Sequence, residues 1–439
     1  MKKTIMNGKI NIKNLALNTL YILFLVAICR SFLKDMFKEH GLGSYVISEF
    51  LINYQGGFVR RGLLGEILFL FRSVFPFDIE WSIKIFCAIC YLFICTFFIY
   101  NFKKQKFSLY ILPLCFFCGA LVISNEYWIR KDSLMICFLI ASLWIFKAPK
   151  KLPMAVKILL INILLIFIIL SHEAFAFFSI PIFFVLFINY FKEKGVFKSL
   201  VTSILYLCPT IVAFLFAMNA KGNYEIAQTI WDSWHIISNK ELSIVGYNNS
   251  IGALFWETIP TLKSHFSSIF LTIEWDILSL FVWIIIFPII YYISTNFLLV
   301  FNKNNSTFNE EKKTILSALL IFQFICLLPL FLGLSKDYIR LVFYLTTSSF
   351  AIFLLIPFDT LKSLFPKIYI RFIEKLNNLF NNFISPSKSV LIIFMLIIGI
   401  PNWGFYIYGI SASSMLYQIL TILTKAAKPF VEFAQQILN

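Results

Sequence analysis

Long apolar runs alternate with short polar interruptions along nearly the whole chain. Runs long enough to cross a hydrocarbon core lie at 15–33, 82–101, 107–124, 133–147, 155–171, 174–191, 199–218, 277–301, 314–334, 341–358 and 389–408. One crossing needs about 20 mostly apolar residues. The pattern therefore predicts an all-α, polytopic integral membrane bundle of about eleven transmembrane helices, roughly ten to twelve. The run at 63–77 is shorter, holds Glu66 and Arg72 and ends at Pro76. It reads as an interfacial or re-entrant helix. The tail 411–439 is weakly amphipathic, with Lys425 and Lys428, and reads as a surface segment or a further span.

Composition agrees. The chain has 439 residues, is 60% hydrophobic, has a mean hydropathy of +0.84 and carries only 14% charged residues. Soluble domains keep about 25% charged residues. The spans follow one another closely, so residues 1–439 read as one integral domain, with two long loops at 34–81 and 219–276. Cysteines such as Cys87, Cys90 and Cys95 lie in apolar runs, as packing residues do. The first run follows a basic tail without a small-residue cleavage site, so it reads as a retained span.

The net charge of +16 changes the picture of orientation more than of partners. No zinc-finger, helix-turn-helix or RNA-binding pattern is present, so nucleic acid is not expected. With the N-terminus in the cytoplasm and 63–77 not crossing, the lysine-rich turns all fall inside, as positive charge tends to do. Every polar cluster that interrupts the apolar sequence then falls on the external side. Arg60, Arg61, Arg130 and Arg340 stand there beside carboxylates, at the ends of spans. Such a departure from the usual charge bias marks a candidate site.

The first cluster is Asn53 to Glu66, NYQGGFVRRGLLGE. Six of the chain's 16 glycines fall between Gly41 and Gly65. Arg60 and Arg61 keep their charge and can hold phosphate in a forked geometry, or they snorkel to headgroups. Asn53 and Tyr54 precede them as supporting residues, and Glu66 reads as a structural partner of an arginine. The second cluster holds Glu126, Arg130 and Asp132. Glu126 and Arg130 sit one turn apart and can pair on a helix face, and Asp132 can cap the next helix or serve a site. In the third, His172-Glu173 is a compact acid/base candidate. A zinc site of the HExxH type is excluded, because the position for the second histidine, four residues after His172, is Ala176. The fourth, in the 219–276 loop, offers Trp231, Trp234 and Tyr247 for stacking on sugar or for anchoring at the interface. The fifth pairs Asp337 with Arg340.

This layout resembles the C-type membrane glycosyltransferases. Its size and span number are also similar to Wzy-like polymerases of O-antigen or capsular polysaccharide. The resemblance implies a bacterial cytoplasmic (inner) membrane location, with the active face periplasmic or external. It also implies a polyprenyl (di)phosphate-linked glycan donor. Further partners would be the lipid bilayer, a chain-length regulator and other membrane proteins of an export pathway. The acidic pair that many C-type enzymes carry in the first loop is not evident. The nearest acids are Asp35, Glu39 and Glu49, so neither a metal nor another cofactor is expected. Under this reading Arg60 and Arg61, helped by Arg130 or Arg340, bind the phosphates. Glu173 or Asp132, with His172 beside them, supply acid/base chemistry, while Glu126 and Asp337 support the site. The alternatives are a transferase adding one sugar from a polyprenyl monophosphate, a transporter or flippase, and a non-catalytic assembly protein.

Overall fold

The computed structural model describes residues 12–105, 128–149, 152–237, 249–255, 276–301, 310–335 and 337–397, with isolated residues between 260 and 267 and between 425 and 430. The described residues are helical and contain no strand. In chain order the helices are α1 (Ile12–Phe37), α2 (Tyr45–Leu51), α3 (Gly62–Val74), α4 (Ile79–Lys104), α5 (Asp132–Lys147), α6 (Met154–Ser171), α7 (Phe175–Phe191) and α8 (Val196–Asn219). They continue with α9 (Tyr224–Ile237), α10 (Asp276–Phe301), α11 (Glu310–Pro329), α12 (Tyr338–Leu355), α13 (Phe358–Leu364), α14 (Lys367–Phe383) and α15 (Lys388–Ile397).

Among the described residues six helices are long and apolar enough to cross a membrane: α4, α6, α7, α8, α11 and α12. The run expected at 133–147 is α5, at 16 residues short for a crossing. Within α10 a shorter apolar stretch, Val282–Asn296, is found. The run expected at 107–124 lies outside the described residues, as does most of 389–408. The 63–77 segment forms α3, whose 13 residues reach about 20 Å at 1.5 Å per residue. That is well short of a hydrocarbon core of about 30 Å.

Local chemistry sets the boundaries. Asp78 caps α4 by accepting the Trp81 N–H at 2.9 Å. Pro153, Pro357 and Pro366 precede α6, α13 and α14, where a missing N–H does no harm. Pro329 closes α11, and a single wide turn over Leu330–Leu334 leads to the polar corner before α12. All 18 residues of α12 are buried, including Thr346, Thr347, Ser348 and Ser349. The hydroxyls of these four donate to carbonyls within their own helix, which satisfies their donors inside the bundle.

Candidate functional site

The site begins with a tightly sewn loop. Asn53 accepts the Gln55 N–H through Oδ1 and donates from Nδ2 to Ser233, fixing a turn against α9. Glu66 reaches back from α3 and accepts the Tyr54 N–H at 2.8 Å and the Gln55 side-chain amide at 2.9 Å. Its partners are therefore loop donors, where the sequence suggested an arginine. The glycine at 65 is needed for close approach, since a Cβ there would stand 1.8 Å from the Ile52 carbonyl oxygen. The ring of Tyr54 fills the space above Gly62 in the same way.

The two arginines of this loop differ in role. Arg60 donates to the Ala253 carbonyl at 2.8 Å, and its own N–H donates to Ala220, tying the loop to both flanks of α9. Arg61 is the one non-glycine residue with positive φ, at 66°, among the described residues. A left-handed arginine costs about 1 kcal/mol or more unless its surroundings hold it. Here Glu173 grips the guanidinium with both oxygens, at 2.9 and 3.0 Å from Nε and 2.5 Å from Nη2. Lys131 donates to the Arg61 carbonyl at 3.0 Å and to that of Ser171 at 3.2 Å. One buried ammonium thus joins the loop to the end of α6.

A second group adjoins the first through the His172-Glu173 turn. Arg130 donates from Nε to Glu49 at 3.0 Å and places Nη1 3.6 Å from Asp337. Arg340 donates to Asp132 at 2.9 Å and to Asp337 at 3.1 Å. Tyr344, one turn further along α12, donates its hydroxyl to the same Asp132 oxygen, while the other oxygen, Oδ2, has no hydrogen-bond partner among the described residues. Asp132 opens α5 but makes no capping bond, because its carboxylate turns toward α12. His172 accepts the Ala174 N–H at Nδ1, and its Nε2 stands between Glu49 at 3.3 Å and the Arg340 guanidinium at 3.4 Å.

Electrostatics assign a charge state to the groups outside the spans. Burial alone would raise the Glu49 carboxyl, but the Arg130 guanidinium, the His172 hydrogen bond and the Arg340 charge together outweigh it and hold the group well below its usual range. Glu173 likewise is lowered against its burial by Arg61. Burial and the neighbouring Arg61 charge push His172 down, so it is neutral. Burial depresses Lys131 to about 8.

The structure thus gathers Arg61, Arg130, Asp132, His172, Glu173, Asp337 and Arg340, from four separate sequence clusters, at one end of the bundle. Arg60, Asn53, Tyr54 and Glu66 stand behind it as scaffold. Glu126 and Tyr247 lie outside the described residues. Trp231 and Trp234 are buried against α2 and α3, Trp234 donating to the Leu51 carbonyl at 2.8 Å, so neither is available to stack on a sugar. Sequence reasoning missed Glu49, Lys131 and Tyr344 as members. A lone acid inside the apolar run YVISEFL and a tyrosine one turn from Arg340 were the signals available. Among the described residues no group of three or more His, Cys, Asp and Glu side chains is placed to hold a metal ion.

The depressed Lys131 has a measurable consequence. Its folded proton affinity is lower than its unfolded one, so the unfolded chain binds more protons between about pH 8 and 10. Stability from this group is therefore lower below pH 8 and rises as pH climbs through that window. The apparent melting temperature of the wild type should climb from pH 8 to pH 10 relative to Lys131→Met. Parallel curves for the two proteins would show that Lys131 keeps its ordinary affinity.

No family model matches this chain, and no curated protein or solved structure matches it either.

Proposed function

We propose that this chain is a membrane glycosyltransferase of about eleven crossings, acting at the external face on polyprenyl (di)phosphate-linked glycans. Most concretely, it is a polymerase that joins polysaccharide repeat units. The observation that carries the reading is the convergence of Arg61, Arg130, Lys131 and Arg340 with four carboxylates at one end of a bundle of apolar helices. Planar guanidiniums suit phosphate, and charges held in place ahead of reaction stabilise a departing anion. The outer side of α3, directly after Arg61, exposes Ile67, Leu70, Phe71 and Val74, an apolar track suited to a prenyl chain.

The carboxylates divide by access. Glu49 and Asp132 are fully buried and Glu173 is 9% exposed, whereas the Asp337 side chain is 35% exposed. We therefore assign the base to Asp337 and positioning roles to Glu173 and Asp132. Arg130 and Arg340 both reach Asp337. A diphosphate entering there competes for the same guanidiniums and frees Asp337 for the acceptor. The acceptor hydroxyl oxygen then bonds to the anomeric carbon as the bond from that carbon to the phosphate oxygen breaks. The hydroxyl proton passes to Asp337, and the polyprenyl diphosphate leaves as an anion held by the arginines. A single displacement inverts the anomeric centre.

The test is the full chain in liposomes with a synthetic polyprenyl diphosphate oligosaccharide. The expected result is a ladder of products carrying multiple repeat units, with release of polyprenyl diphosphate. Addition of one sugar from a polyprenyl monophosphate donor, or transbilayer movement without bond formation, would overturn the polymerase reading.

A further inference from the structure

Helix α14 lies at the opposite end of the bundle and plays no part in the site. It packs on the half of α11 farthest from Asp337. Asn377 accepts the Tyr291 hydroxyl at 2.7 Å and the Ser317 hydroxyl at 3.2 Å, and the Tyr369 hydroxyl donates to the Ala318 carbonyl at 2.9 Å. Lys313 donates to Asn381 at 3.3 Å, and the Ile384 carbonyl just past the helix accepts from Tyr292 at 3.2 Å. Only Ile373 and Asn377 of α14 are buried. One edge of the helix is therefore fastened to the bundle and the rest is open.

The open part is divided in two. Ile368, Phe372, Leu379 and Phe383 are exposed, two of them to 78%. Their spacing of four, seven and four residues sets them in one stripe along the helix. Beside that stripe Lys367, Arg371 and Lys375 repeat every four residues, all exposed, and the exposed Glu374 on the same side leaves the three cations in excess. At 17 residues with a polar side, α14 is no crossing helix. Fastened to a bundle with six helices long and apolar enough to cross a membrane, a helix of this kind can cover its apolar stripe with acyl chains. Its basic row then stands at headgroup level.

We propose that α14 is a lipid-binding surface that lies in the headgroup layer of one leaflet and gathers anionic phospholipids through Lys367, Arg371 and Lys375. The charge row selects the headgroup, and the stripe of Ile368, Phe372, Leu379 and Phe383 sets the depth. Asn377 and Asn381 keep the helix fixed to α10 and α11, so the lipids collected there are held at a fixed place on the protein. The surface stands apart from the proposed transferase site and does not depend on it.

The test places the photo-reactive analogue p-benzoylphenylalanine at Phe372 or Phe383 of the full chain. The protein is held in nanodiscs of mixed phosphatidylcholine and phosphatidylglycerol, and the adducts are weighed by mass spectrometry. Lipid adducts should form at both positions, with phosphatidylglycerol exceeding its share of the bilayer by about threefold. Lys367→Gln, Arg371→Gln and Lys375→Gln together should bring that excess back to the bilayer share while adduct yield persists. High salt should do the same to the unmodified basic row. Crosslinks to a second copy of the chain, an absence of lipid adducts, or adducts without headgroup preference would each overturn the proposal.

Discussion

Arg130→Met should lower the stability of the folded chain more than almost any other single change at the site, by about 3–5 kcal/mol. The reason is the carboxylate it leaves behind. Glu49 is fully buried, and among the described residues its direct ionic contacts are Arg130 at 3.0 Å and the neutral His172 at 3.3 Å, with Arg340 acting from farther away. Removing the guanidinium leaves a buried carboxylate without its hydrogen-bonded cation, so that it must bind a proton or draw in water. Glu49→Gln should cost less. Arg130 would then keep Asp337 at 3.6 Å and the face of the Tyr45 ring, 5.0 Å from its centre. Joining the two changes should recover part of the loss, because the double variant has no unpaired charge. Apparent melting temperatures in detergent read the series, with Arg130→Met about 5 °C or more below wild type. Strict additivity of the two changes would mean that the pair is not coupled, whatever its distance.

Much of the cluster was legible because charge is rare in this chain. Against a background of apolar runs, Arg61, Arg130, Asp132, His172, Glu173, Asp337 and Arg340 stand out as interruptions. They also fall at the ends of apolar runs, where the structure brings them together. Partner choice was not legible. Arg130 donates to Glu49, 81 residues distant, and nothing in the sequence announces that contact; Glu126, one turn away in sequence, lies outside the described residues. A lone acid in a short apolar helix gives no sign of which cation it meets. The aromatic residues of α9 misled for a related reason. An amphipathic segment presents the same pattern whether its apolar face meets lipid or protein, and here Trp231 and Trp234 meet α2 and α3. Glycines crowded between Gly41 and Gly65 are compatible with backbone freedom near a ligand. At Gly62 and Gly65 the structure uses them for close packing instead, and the backbone strain falls on Arg61. Run length located helices better than crossings: α1, α5 and α10 all form where apolar runs predicted spans, but only six of the described helices meet the length and polarity of a crossing.

Asp337→Asn should reduce glycosyl transfer by about 10²–10⁴-fold in kcat with little change in KM, if this carboxylate takes the acceptor proton. Folding should be nearly unaffected. Arg340 keeps Asp132, Arg130 keeps Glu49, and a side chain 35% exposed is not committed to the interior. Glu173→Gln supplies the contrast. It leaves the left-handed Arg61 without its two-oxygen grip, so the loop that carries Arg61 should loosen. That variant should raise KM and lower the melting temperature together, as a positioning residue does. The two substitutions thus separate chemistry from scaffold within one network. If Asp337→Asn retained activity while Glu173→Gln lost kcat at unchanged KM and stability, the base would be Glu173. Arg61 would then have to release it in each catalytic cycle, and the loop from Asn53 to Gly62 would be a moving part. The hydrogen bonds from Tyr54, Gln55 and Asn53 that fasten this loop argue for the fixed arrangement, with proton transfer at Asp337.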